Sequence, residues 1–153
     1  MATLWLTLRR LQTRNPQFVS DTCGAGGTTP DRTRNTVKRI HRETSLKPVA
    51  HLTCVGASKA EVNAVVRDNW EAGVRHILAL RGDPQGGVGK RFEPHPEGYR
   101  NAADLVRGIR EIADFEVSVA AYPGRHPESV SIEEDLAFMA DKAEHGATRA
   151  ISQ

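Results

Sequence analysis

Short apolar runs alternate with longer amphipathic stretches from Phe18 to the last residues, and no other feature constrains the fold as tightly. Phe18 to Thr22, Val49 to Cys54, His76 to Leu80 and Val117 to Ala121 each read as a strand, and Arg149-Ala150-Ile151 begins a fifth. The segments between them carry helical spacing. Thr29 fits an N-cap with Pro30 at the first helical position, for a helix to about Arg42. Lys59 to about Ala72 sets Val62, Val65, Val66, Asn69 and Trp70 on one face, and Tyr99 to Ala113 does the same with Ala102, Leu105, Val106, Ile109 and Ile112. A helix from Ile132 to about Ala143 turns Ile132, Leu136, Met139 and Ala140 inward, while Gly73 and Gly146 fit helix stops. Such alternation places the chain in the α/β class, on parallel strands joined by right-handed crossovers. Two architectures fit: an open doubly wound sheet, which 153 residues can complete, and a (β/α)8 barrel, which needs ~250. Breaking off inside a strand, with no closing helix, is the expected look of a piece of a longer barrel.

Composition removes several classes of function. Lys+Arg 21 against Asp+Glu 19 leaves a net charge of +2, too balanced for a nucleic-acid or membrane-surface binder. Aromatic residues at 5% argue against a base-stacking surface. No apolar run approaches the ~18 residues of a membrane span. Two cysteines, Cys23 and Cys54, make no disulfide framework and fit a reducing, cytoplasmic setting. At the amino terminus Leu4, Leu8 and Leu11 recur at helical spacing beside Arg9, Arg10 and Arg14. That pattern reads as a surface helix with a leucine stripe on a core, or as an Arg-rich transit segment.

Candidate chemistry collects at strand ends, where parallel α/β folds bind ligands. Those positions hold Thr22, Thr53 with Cys54, Arg81 to Asp83, and Tyr122; they read as a ligand site or as solvated loop residues. The loop Gly24-Ala25-Gly26-Gly27 resembles a phosphate cradle, yet lacks the lysine of a P-loop and the third spaced glycine of a dinucleotide fingerprint, so a plain tight turn fits as well. His51 and Cys54 do not form a dyad, because residues three apart on a strand face opposite ways. Cys54 reads as a packing residue, and His51 as a site or core histidine. The six histidines are scattered, with no CxxC or HExxH spacing for a metal. Asp83 is expected to be partly desolvated beside Arg81, either as a structural ion pair or as an acid placed for chemistry. Pro84 to Gly98 is a Gly- and Pro-rich stretch of lid-like length, or a tolerated insertion.

One ordered set of segments resembles the methylenetetrahydrofolate reductase family. It comprises Phe18-Val19-Ser20 with Thr22 and the glycine loop; Asp31-Arg32-Thr33; His51-Leu52-Thr53-Cys54; Leu80-Arg81-Gly82-Asp83; Ala120-Ala121-Tyr122-Pro123 with His126-Pro127-Glu128; and Gly146-Ala147 with Gln153. The resemblance implies a partial (β/α)8 TIM barrel, about strands 2 to 6 with their helices, as a single incomplete domain over 1–153. It implies FAD-dependent hydride transfer from NAD(P)H to methylenetetrahydrofolate, in a protein that is a homo-oligomer at full length. On matching positions Thr22, His51, Arg81, Gly82, Asp83, Ala102, Tyr122, His126, Asp135 and Lys142 would hold the flavin, and Asp83 and Gln153 would meet the folate. Asp83 would be the catalytic carboxylate. It would disfavour negative charge on reduced flavin and favour the cationic iminium form of the folate; a unit charge ~4 Å away is worth about 4 kcal/mol at an effective dielectric of 20.

The sequence also departs from that pattern. Nothing matches the family's Phe-Glu-Phe segment, whose glutamate protonates the folate, and the last strands and helices of the barrel have no counterpart. Phe138 and Asp141 stand where polar or basic residues are usual on the diphosphate side. Asp21 and Cys23 replace an apolar residue and an aromatic; alternation turns Asp21 toward the helix layer, where an unpaired carboxylate is costly or protonates. The expectation for the isolated 153 residues is low stability, from two unpaired sheet edges, and no turnover.

Overall fold

A computed structural model describes residues 2–22, 30–84, 92–126 and 128–152. Cys23, the glycine loop, Thr29, 85–91 of the long Gly/Pro segment, Pro127 and Gln153 lie outside the described residues. The elements run α1 (Ala2–Gln12), β1 (Val19–Asp21), α2 (Pro30–Glu43), β2 (Pro48–Thr53), α3 (Lys59–Glu71), β3 (His76–Leu80), α4 (Ala102–Ile112), β4 (Glu116–Ala121), α5 (Ile132–Glu144) and β5 (Arg149–Ser152).

All strand pairs are parallel, and their order across the sheet is β1-β2-β3-β4-β5. That order separates the two architectures left open by pattern. A doubly wound sheet reverses its strand order partway, whereas a chain winding in one direction makes a barrel wall. The protein is an α/β half-barrel of five parallel strands alternating with helices.

Register divides the side chains between two faces. Ala50, Ile77 and Val117 lie opposite one another, as do Leu52, Ala79 and, on the next strand, Val119. All of these but Ala50 pack with Val62 and Val66 of α3 and Leu105, Val106 and Ile109 of α4 as the main core, while Ala50 packs with Val37 and Val74. Burial of this kind, roughly 25 cal/mol per Å² of apolar surface, is what holds α3 and α4 down. Intervening residues, among them His51, Leu78 and Ser118, face the inner side of the wall by alternation.

Local chemistry sets the helix starts. Ser58 and Glu61 form a reciprocal capping box on α3, and Ser131 caps α5. Asn101, in an extended conformation, caps α4 through Asp104 N–H, so that helix begins at Ala102 and not at Tyr99. Tyr99 is instead a core residue, its hydroxyl donating to Asn63 Oδ1 at 2.6 Å and its ring lying against Gly108.

Two helical stripes differ from their pattern. Among the described side chains of α1 only Leu8 is buried, with Trp5 beside it against Ile40 and Leu46, while Leu4 and Leu11 are exposed. On α5 Met139 packs on the core, but Ile132 is 59% and Leu136 64% exposed, and Ala140 is exposed too. Periodicity marks an apolar face without supplying the surface that covers it; α5 meets mainly α4, and its remaining faces are left to solvent and the trough described below.

The amino ends of the strands carry a polar knot. His76 Nε2 and Ser118 Oγ share a buried hydrogen bond of 2.6 Å, and Glu116 Oε2 lies 3.7 Å from His76 Nδ1. Arg149 Nη2 bonds Glu116 at 2.7 Å, and Phe18 sits edge-on to His76 under the Arg149 guanidinium. Burial pushes the His76 imidazole below its ordinary pKa, against the attraction of Glu116. Asp21 sits opposite Ala50, on the helix side; its Oδ2 is buried and meets no hydrogen-bond partner among the described residues, and desolvation raises its pKa. No helix among the described residues is long and apolar enough to cross a membrane.

Candidate functional site

At the carboxyl ends of the strands the structure opens into a trough of about 1180 Å³. Thr22, His51, Arg81, Gly82, Asp83, Ala102, Tyr122, His126, Asp135 and Lys142 all line it, so ten of the positions singled out in the sequence converge on one space. Small residues are among its lining, including Ala57, Ala102, Ala120 and Ala121.

The turn after β3 is built around Gly82. Its φ of +86° is in the left-handed region, and a Cβ there would stand 2.5 Å from Val55 Cγ1 and 3.1 Å from Thr53 Cβ. A side chain is excluded both by conformation and by space, so bare backbone is what this turn presents. On one side of it, Arg81 donates from Nη1 and Nη2 to the Glu128 carboxylate at 2.6 and 2.9 Å, with its guanidinium 4.6 Å over the Phe92 ring. The bond to Glu128 raises the Arg81 pKa and lowers that of Glu128. On the other side Asp83 is exposed. This corrects two expectations: Asp83 is not desolvated, and the close ion pair of Arg81 is with Glu128, across 47 residues. In bulk water the ~4 Å interaction weighed for Asp83 falls to about 1 kcal/mol, so its electrostatic leverage depends on a bound molecule excluding solvent.

The loop after β4 is hydrogen-bonded onto α5. The Asp135 carboxylate accepts from His126 N–H and from the Ser129 hydroxyl, which hold its pKa down, the hydroxyl first. His126 Nδ1 accepts from Glu128 N–H at 3.1 Å, and Glu134 Oε2 accepts from Val130 N–H at 2.7 Å. Tyr122 and His126 stack edge to face with centroids 4.6 Å apart. Lys142 points back under this loop, Nζ donating to Ala120 O at 3.1 Å; desolvation lowers its pKa, with Asp135 opposing.

Other groups fall where alternation put them. His51, half-buried on the inner side, has its pKa lowered by desolvation. Cys54 is fully buried among helix-facing residues, and burial pushes its thiol up to about 11, as suits a packing residue and not a nucleophile. Phe138 lines the trough, whereas Asp141 pairs with His145 at 3.0 Å and is not among the lining residues. Glu128 is the lining residue that reading residue by residue missed as a partner of Arg81; its only mark in the sequence was its place in His126-Pro127-Glu128. Gln153 lies outside the described residues.

The arrangement suits a long polar ligand. A desolvated ammonium, a guanidinium paired with Glu128, an aromatic pair, a bare turn and several alanines all border the trough. Comparison with known proteins gives the same direction. The family model described as Methylenetetrahydrofolate reductase matches residues 1–153. The 5,10-methylenetetrahydrofolate reductase of Salmonella typhimurium LT2 is 47% identical over 151 residues, covering 99% of this chain and 49% of that protein. The Escherichia coli K12 protein of the same description is 46% identical with the same coverage, and a rice protein described as probable methylenetetrahydrofolate reductase (NADH) is 32% identical over 98% of this chain and 27% of its own length. The chain thus spans about half the length of the bacterial relatives it matches. Among solved structures, 2,3-dimethylmalate lyase, of the PEP mutase/isocitrate lyase superfamily, superposes with a TM-score of 0.71 at 14% identity, over 97% of this chain and 55% of that one. A putative phosphonomutase from Burkholderia cenocepacia J2315 gives 0.68 at 15%, over 95% and 64%. At such identities the likeness concerns the fold alone.

Proposed function

The chain belongs to the methylenetetrahydrofolate reductase family, and on that premise we propose that its trough is the flavin-holding half of a barrel that reduces methylenetetrahydrofolate with NAD(P)H. The observation that carries the reading is Lys142, a partly desolvated cation lining the same trough as Arg81, Tyr122 and His126. A half-buried ammonium held by the Ala120 carbonyl and the Met139 sulfur fits an anionic group better than an apolar ligand.

FAD fits this donor set. Lys142 and Arg81 supply charged donors for its diphosphate and ring oxygens, and the Gly82 turn lets backbone approach closely. Thr22, His51 and Ala102 complete the wall, and Tyr122 with His126 covers one end against water. Asp135 holds the His126–Ser129 loop in place by accepting its hydrogen bonds. The chemistry such a cofactor supplies when bound is hydride relay from NAD(P)H to the folate. Asp83 is the catalytic carboxylate of this reading: exposed in the free protein, it gains strength as a bound substrate removes solvent, and it favours positive charge developing on the folate. Gln153 is a second folate contact. A 153-residue polypeptide of this sequence is proposed to bind flavin without turnover, since no glutamate segment corresponding to the family's proton donor occurs in it.

The test is an absorbance spectrum after incubation with FAD and desalting. Retained flavin bands, reduced in Lys142→Met, are the expected result. A colourless wild-type protein overturns the flavin reading, and NAD(P)H oxidation dependent on methylenetetrahydrofolate overturns the proposed lack of turnover.

A further inference from the structure

Glu128 spends both carboxylate oxygens on Arg81 at a cost in mobility that folding does not need. The two side chains are 42% and 27% exposed, and pairs this open to water contribute little to stability. What the pair does fix is orientation. Two parallel N–H···O bonds define the plane of the guanidinium, and the Phe92 ring covers one of its faces.

Glu128 is itself held from below. Its N–H donates to His126 Nδ1, while the N–H of His126 and the hydroxyl of Ser129 both end on Asp135, in the first turn of α5. Arg125 Nη1 donates to Val130 O at 3.0 Å and closes the loop on itself. A loop this fully bonded is a platform, and Glu128 is the part of it that reaches the end of β3.

We propose that Glu128 is a positioning residue: it fixes the plane of the Arg81 guanidinium in the trough wall, so that Arg81 meets the flavin as an oriented charged donor. The proposal rests on the flavin reading for its ligand. Its structural half, the hold of Glu128 on Arg81, stands without one. Freed of Glu128, Arg81 keeps its charge but must surrender rotational freedom at binding, which weakens affinity despite the stronger local positive potential.

The experiment uses the 153-residue protein, Glu128→Gln, Glu128→Asp, Arg81→Lys and the Glu128→Gln/Arg81→Lys pair. Nitrogen-detected NMR of arginine side chains reports rotation of the Arg81 guanidinium without ligand, and titration with FAD reports affinity. Restricted Nη signals are expected in the wild type and their averaging in Glu128→Gln, with an unchanged fold by circular dichroism. The FAD dissociation constant is expected to rise tenfold or more in Glu128→Gln and in Arg81→Lys, to recover in part in Glu128→Asp, and to be no worse in the double variant than in the weaker single one. Freely rotating Arg81 in the wild type overturns the proposal whether or not flavin binds. Unchanged or tighter FAD binding in Glu128→Gln, or additive losses in the double variant, overturns it as well. A wild type that binds no FAD but shows restricted Arg81 signals overturns the flavin reading and the role toward flavin, leaving only the ion pair.

Discussion

Replacing Gly108 by alanine sets two effects of opposite sign against each other. Gly108 lies inside α4, where alanine is the better helix former by about 1 kcal/mol. A Cβ at that position, however, would stand 2.0 Å from the Tyr99 hydroxyl oxygen, 2.4 Å from Cζ and 2.5 Å from Cε1. The ring cannot swing aside cheaply. It is 4% exposed within the main core, its hydroxyl is bonded to Asn63 and Lys59 Nζ lies 4.8 Å from its centroid. Overpacking of a core site costs about 1–3 kcal/mol, and losing the Asn63 bond adds roughly 1 kcal/mol. The steric side wins, and Gly108→Ala is expected to destabilise by about 1–3 kcal/mol. For a chain of this length each kcal/mol moves the thermal midpoint by about 2–4 °C. Urea unfolding followed by circular dichroism reads the loss, and the control is the same change made in a Tyr99→Ala background. With the ring gone the sign reverses, and alanine at 108 stabilises by up to about 1 kcal/mol. A stabilising Gly108→Ala in the wild type, or an equal loss in both backgrounds, refutes the account.

Asp21→Val is expected to stabilise the protein at pH 7 by about 1–2 kcal/mol, because the buried Oδ2 loses its desolvation cost. The folded pKa of Asp21 is raised, so the native state holds the proton more tightly; the penalty grows as pH rises above 3.8, and the gain from valine should shrink on acidification toward pH 4. His76 works the other way. Its folded pKa is lowered from 6.5, so the unfolded chain takes up the proton first, and stability present above pH 6.5 is lost as pH falls below it. Thermal midpoints between pH 7.5 and 5 should drop, and less steeply in His76→Asn; an equal slope in the variant would assign the drop to other groups such as His51, which is shifted in the same direction. Gly82→Ala forces both a left-handed alanine and a clash with Val55, and is expected to cost about 2–4 kcal/mol and to abolish FAD retention in the desalting assay.

The strands and the trough were legible because their causes are local. His76 to Leu80 is a five-residue apolar run, and it is β3 to the residue. The convergence of Thr22, Arg81 and Tyr122 follows from parallel strands ending on the same side. What was hidden depends on partners. Tyr99 read as the first turn of α4 because nothing local shows that it packs against Gly108. Ile132 and Leu136 have the spacing of a buried stripe, yet spacing does not say what lies beyond the helix. Arg81 beside Asp83 invited a pairing that the turn at Gly82 does not make, while its true partner sits on another loop. Asp21 is the counterexample: alternation alone sent it to the helix side, and its raised pKa follows from that position.

The knot of His76, Ser118, Glu116, Arg149 and Phe18 gives the two ends of the same strands unequal duties. One end is sewn like the spine of a book, with side chains from three strands and the approach to a fourth gathered into a single seam. The other end is the open fore-edge, where loops are free to differ. A saturation mutagenesis experiment read twice, once for protein abundance and once for ligand capture, should therefore divide each strand lengthwise. Substitutions at the buried residues 76 and 118 would lower the amount of protein, and those at 81, 122 and 142 would leave it abundant but unable to capture the ligand.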